Sequence, residues 1–126
     1  MEKNDTDDLI IYIRWFDFLE WLLPITGNFQ PVARQSLGVR LDNTALDIAE
    51  AIAQARYAQY KAGAGTMTEM LTAIYPTIER FRLLGRLGFR LKYFSSDQYR
   101  FVALTIDETT KLLDSWVRKW APDSSS

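Results

Sequence analysis

Cysteine and histidine are both absent from the 126 residues, and glycine and proline are scarce, at six and four. Without cysteine there can be no disulfide framework, no thiol nucleophile and no thiolate metal site; without histidine there is no imidazole base and no Cys/His zinc centre. Any catalysis would fall to carboxylates, Lys, Ser/Thr or Tyr. No apolar run approaches the roughly 20 residues a bilayer crossing needs, Leu9–Ile13 being typical of the longest. Met1 leads into Glu2, Lys3, Asp5, Asp7 and Asp8 rather than a basic and then apolar stretch, so no secretory signal is read and a cytoplasmic protein is expected. What the chain does have is 48% apolar residues and 25% charged ones. That suffices for one globular domain covering residues 1–126, with 1–6 and 122–126 expected to be flexible ends.

Charge is unevenly placed. The formal net value is −1, but the first eight residues hold four acids against one base and the tail adds Asp123. Leu9 to Trp120 therefore carries 14 basic and 11 acidic residues, a body of +3. Within it, Ile78 to Phe94 sets Arg80, Arg82, Arg86, Arg90 and Lys92 against Glu79 alone. An acidic partner would be sought there.

Breaks at Pro24–Pro31, Gly63–Gly65 and Ser95–Asp97 divide the sequence into four segments of helical period. The first, about Asp7 to Leu23, repeats Ile11, Trp15, Phe18, Leu19 and Leu22 on one face, with Asp7 and Asp8 suited to the positive end of a helix. Ile10, Phe16 and Trp21 extend its apolar character round the circumference, so this helix either lies centrally or meets another subunit. The second starts at Pro31, continues to about Ala62 and buries Leu37, Leu41, Ala45, Ile48, Ile52 and Ala55. Thr66-Met67-Thr68-Glu69 reads as a capping box opening a third helix to about Tyr93, which Pro76 must bend or split. Gly85 and Gly88 weaken it and imply close packing against another backbone. Ser95-Ser96-Asp97-Gln98 is a second capping box. It opens a last helix with the seam Tyr99, Val102, Ile106, Thr109, Leu113, Trp116 and Trp120, and with Asp107–Lys111 and Asp114–Arg118 pairs on its wet side. The expected fold is all-α, an up-down-up-down four-helix bundle.

Chemistry-bearing constellations are few. Asp17 with Glu20, and Asp47 with Glu50, have helical spacing, but a di-iron bundle also needs Glu-x-x-His on two helices. These acids read as a solvated face or as intersubunit ion pairs. Gly85-Arg86-Leu87-Gly88 matches the GXXG of KH clamps only superficially, since that module needs strands. It reads as a packing feature. No phosphate-binding loop, dinucleotide fingerprint or nucleophile elbow occurs, so no enzyme, cofactor or metal is expected. Arg82, Arg86 and Arg90 recur every four residues, with Arg80, Lys92 and Arg100 nearby. Such a row is either a solvated face or a binding surface for phosphate or an acidic protein groove. Trp15 and Trp116 fit core stripes; Trp21 and Trp120 are candidate anchors of an oligomer interface.

Five stretches carry a resemblance when taken in order. Trp15-Phe16-Asp17-Phe18-Leu19-Glu20-Trp21-Leu22-Leu23-Pro24 comes first, then Ser36-Leu37-Gly38-Val39-Arg40-Leu41-Asp42-Asn43, then Arg80-Phe81-Arg82-Leu83-Leu84-Gly85-Arg86-Leu87. Gln98-Tyr99 and Leu113-Asp114-Ser115-Trp116 complete the set. Together they resemble the accessory variability determinant family of diversity-generating retroelements. The resemblance implies a non-catalytic four-helix protein that forms a homopentameric ring and binds the element's reverse transcriptase. It further implies binding of template-repeat RNA or DNA during mutagenic retrohoming, in which adenine-altered complementary DNA replaces a variable region. Arg82 and Arg86 fall where that family is commonly basic, Arg90 where it often has an acid. Family members are often strongly basic, whereas this chain is nominally acidic. Four-helix proteins encoded in ribosomal RNA intervening sequences form an alternative, as does an oligomeric scaffold without nucleic acid.

Overall fold

The computed structural model describes residues 4–121; of the terminal stretches expected to be flexible, 1–3 and 122–126 lie outside the described residues, and 4–6 belong to the first helix. Six α-helices form four rods: α1 (Asn4–Gly27); α2 (Pro31–Ala33) running through a π-helical turn (Arg34–Gly38) into α3 (Val39–Ala58); α4 (Ala64–Thr72) followed by α5 (Ile74–Arg90); and α6 (Ser96–Trp120). Side-chain pairs fix their directions. Asp7 near the start of α1 meets Ser115 and Lys119 near the end of α6, while Trp21 meets Phe101 near its start. Asp8 meets Arg56 late in α3, and Thr26 meets Asp42 early in it. Arg80 pairs with Asp47, and Tyr75 of α5 with Asp114 of α6. Neighbouring rods are thus antiparallel, and the expected up-down-up-down bundle is the fold.

The buried stripes are those the helical period demanded. Ile11, Trp15, Phe18, Leu19 and Leu22 of α1 face Leu41, Ala45, Ile48, Ile52 and Ala55 of α3 and Val102, Ile106, Leu113 and Trp116 of α6. Phe81 closes the centre, edge-on to both Trp15 and Phe18 at ring separations of 5.7 and 5.9 Å. α1 is one of four equivalent rods rather than a central helix, so its surplus apolar residues point outward: Leu9, Ile13 and Phe16 are exposed.

Element ends depart from expectation where packing overrides local signals. α1 passes through Pro24 to Gly27. A proline in the last turn costs one hydrogen bond, and that turn is held by the Thr26 hydroxyl, which donates to Asp42 at 2.6 Å. The π turn has no counterpart in the sequence reading. Ala33, Leu37, Leu41 and Ala45 are four apart and would drift round a regular helix; one residue more in the turn brings them all to the core. The Thr66–Glu69 capping box does not form, because Gly63 adopts extended backbone and the helix opens at Ala64. The earlier start carries Met67 and Leu71 into the core, and the Thr68 hydroxyl is buried with no partner among the described residues.

Pro76 splits the third rod as expected. α4 ends at Thr72, four residues before the proline, where its ring would meet the carbonyl. Gly85 and Gly88 lie against side chains rather than backbone: a methyl at Gly88 would stand 3.0 Å from the Phe94 ring and one at Gly85 3.4 Å from Val102. At the end of α5, Lys92 takes the left-handed conformation (φ 68°) usual for glycine. The Tyr93 amide then donates to Gly88 and the Lys92 amide to Phe89, satisfying the last carbonyls. Ser95 and Gln98 form the expected capping box of α6. The wet-side pairs on α6 are replaced by contacts between rods, since Asp107 binds Arg82 and Asp114 accepts from Tyr75.

Asp7 ties α1 to α6. The Lys119 ammonium and the Ser115 hydroxyl, each 2.6 Å from Oδ2, hold its carboxyl below the ordinary value of 3.8. A depressed folded pKa means that this carboxylate stabilises the fold above the unfolded value and ceases to do so as pH falls through the folded one. Burial raises Asp42, so its contribution has the opposite sign. Asp7→Asn is therefore expected to lower stability at about pH 7 and to flatten the acid limb, the gap to wild type closing as pH falls through the folded-state value of Asp7. Urea unfolding followed across pH checks this, and a constant gap would rule it out.

Candidate docking surface

On α5 the buried residues Ile74, Ile78, Phe81, Gly85 and Gly88 alternate steps of four and three, which turns residues 83, 86, 87 and 90 toward solvent. Leu83 is 65% exposed, Leu87 45% and Leu91 49%. Arg86 and Arg90 stand beside them, Arg80 lies on the flank of α5 nearer α3, and Arg40 projects from α3 itself. Together these residues line an open groove of about 670 Å³ whose floor includes the buried side chain of Leu84.

The cations of the sequence-predicted row fall into different environments. Arg82 is turned toward α6, with Nε 3.3 Å from Glu79 and a terminal nitrogen 3.1 Å from Asp107, so two carboxylates neutralise it. Arg80 stands 3.8 Å from Asp47. Among the described residues no carboxylate pairs with Arg86, Arg90 or Arg40. Lys92 leaves the row: it is fixed in the turn after α5 and borders a smaller pocket with Phe29, Tyr93 and Gln98. Arg100 is exposed on α6, outside the groove lining. The four-residue spacing of Arg82, Arg86 and Arg90 is thus not one continuous charged face, because the rods on either side of α5 claim Arg80 and Arg82.

Arg40 went unrecognised as a site residue. The available signal was its position one step off the Leu37–Leu41 stripe, on a helix antiparallel to α5. Leu83, Leu87 and Leu91, spaced by four outside the buried stripe, gave the second clue.

The tryptophan candidates are placed as follows. Trp21 is half-buried, stacked on Phe18 at 5.7 Å and edge-on to Phe101 at 4.7 Å. Trp120, the last residue of α6, is half-buried against the core. Asp17, Glu20, Asp47 and Glu50 are exposed, and among the described residues no group of three acids converges as a metal site. Gly85-Arg86-Leu87-Gly88 is helical within α5, not a loop. Among the described residues no helix is long and apolar enough to cross a membrane.

These features define a four-helix bundle with an arginine-rimmed apolar groove between its second and third rods. No protein-family model matches the chain, and no curated protein matches its sequence.

Proposed function

We propose that this protein is a non-catalytic accessory factor of a diversity-generating retroelement, of the accessory variability determinant type, that docks the element's reverse transcriptase and template RNA. The observation that carries the reading is the convergence of Arg40, Arg86 and Arg90, which no carboxylate among the described residues neutralises. Guanidinium groups left unpaired by their own fold are available to phosphate or carboxylate, and they bind phosphate without reading base identity. The order of motifs from Trp15 to Trp116 supports the retroelement assignment, and the four-rod fold agrees with it. The outward Leu9, Ile13 and Phe16 of α1 support assembly into a homo-oligomeric ring, which would repeat the cationic surface around its circumference.

The test is co-expression with the reverse transcriptase encoded beside the gene, read by size-exclusion chromatography with light scattering. The two proteins are expected to elute together at a mass requiring several copies of this chain. Arg86→Glu with Arg90→Glu is expected to weaken the complex at least about tenfold, or about 1.4 kcal/mol. A monomer that elutes apart from the polymerase would overturn the assignment.

A further inference from the structure

We infer that the groove between α3 and α5 is the seat of an acidic amphipathic helix from a protein partner, laid along Leu83, Leu87 and Leu91. The inference rests on the docking role proposed above but specifies which partner chemistry uses this surface. Three leucines at successive steps of four form an apolar line about 12 Å long, long enough to receive the two-turn row of apolar anchors by which an amphipathic helix enters a groove. They are not covered by the fold, each being 45% exposed or more.

The rim identifies the charge of the occupant. All four cations lining the groove are arginines, from both walls, and no lysine is among them. Among the described residues the only carboxylate within ion-pair distance of these four is Asp47, 3.8 Å from Arg80, so Arg40, Arg86 and Arg90 remain to be matched by carboxylates of the guest. Leucine at the centre with arginine at the edge is the composition of a protein interface, where Arg is enriched and Lys depleted. Nucleic acid can engage the arginine rim through its phosphates but gains nothing from the leucine floor. Single strands bind where aromatic rings stack on bases, and the groove lining holds no aromatic residue; a phosphate backbone laid there would also leave three leucines facing charge. A second apolar surface, the outward face of α1, has one arginine beside it, Arg14, which Glu108 of α6 already neutralises, together with the acids Asp17 and Glu20, so it offers no such complement.

The test uses the full chain and a fluorescent peptide of about four helical turns, with leucine on one face, glutamate on both flanks and alanine elsewhere. A scrambled peptide of the same composition and an oligouridine RNA serve as comparators. Fluorescence anisotropy is expected to show the amphipathic peptide binding at least about tenfold more tightly than the scramble. Leu83→Ser with Leu87→Ser should weaken it by a similar factor, as should Arg40→Glu on the opposite wall. RNA affinity should be unmoved by the leucine substitutions. Both leucines lie outside the core, so circular dichroism and thermal midpoint should stay close to wild type. Equal binding of the two peptides would reduce the groove to a charge patch and overturn the inference. So would leucine variants that bind the peptide as wild type does, or that lose RNA instead. If the polymerase co-purifies equally well with the leucine variants, the groove assignment fails while the accessory role stands. If the peptide binds as described but no polymerase co-purifies, the groove stands and the retroelement assignment fails.

Discussion

Trp15→Ala is expected to destabilise the bundle by about 3–5 kcal/mol, the largest effect of any single truncation here. Trp15 is almost completely buried, and its indole N–H donates to the Ala45 carbonyl of α3 at 2.9 Å. Its ring also lies 4.9 Å from Phe18 and 5.7 Å from Phe81, so one side chain joins α1, α3 and α5. Removing it abolishes the transfer term, the hydrogen bond and the aromatic contacts, and leaves a cavity that three rods cannot close without moving. Against a total stability of roughly 5–15 kcal/mol, this approaches unfolding at physiological temperature. Trp15→Phe keeps most of the ring, and the Ala45 carbonyl retains its place in the helix ladder, so that variant should lose no more than about 2 kcal/mol. Urea titrations of the two variants measure the difference directly. A Trp15→Ala loss below about 1 kcal/mol would mean that the core does not depend on this residue.

Asp8→Ala is expected to cost about 3 kcal/mol. The Asp8 carboxylate, 4% exposed, accepts from Arg56 Nε at 2.8 Å and from Gln59 at 3.0 Å. Arg56 in turn lies over the Tyr12 ring at 5.0 Å. Removing one member of a buried pair leaves the other charge uncompensated, a loss of about 3–5 kcal/mol when both are buried. The Arg56 side chain is 28% exposed, so water recovers part of it and the lower end applies. Asp8→Ala combined with Arg56→Met removes both charges together and should recover a substantial part of the loss. Denaturation of the single and double variants tests this. A double variant as unstable as the sum of the singles would show that the two residues act separately.

Asp8 also illustrates where one-dimensional reading stops. Beside Asp7 it carries the signature of a helix N-terminus, and the helix does begin nearby, at Asn4. Each acid nevertheless serves a different tertiary contact, Asp8 toward α3 and Asp7 toward α6. Adjacent helical positions point about 100° apart, and which neighbour stands in each direction is decided only when four rods close into a square. The same reasoning covers the arginine row. Its four-residue spacing is plain in the chain, but Arg82 is drawn to Asp107 while Arg86 and Arg90 meet Arg40 across the groove.

Periodicity sufficed for the number of rods, their buried stripes, the split at Pro76 and the cap at Ser95, because each rests on residues within a few positions of one another. The π turn, the passage of α1 through Pro24 and the unused Thr66 cap came from packing, since a local preference of about 1 kcal/mol yields when a large apolar side chain must reach the core. The groove belongs to that second class. Leu83 and Arg40 lie more than forty positions apart, and only antiparallel pairing of α3 with α5 sets them side by side.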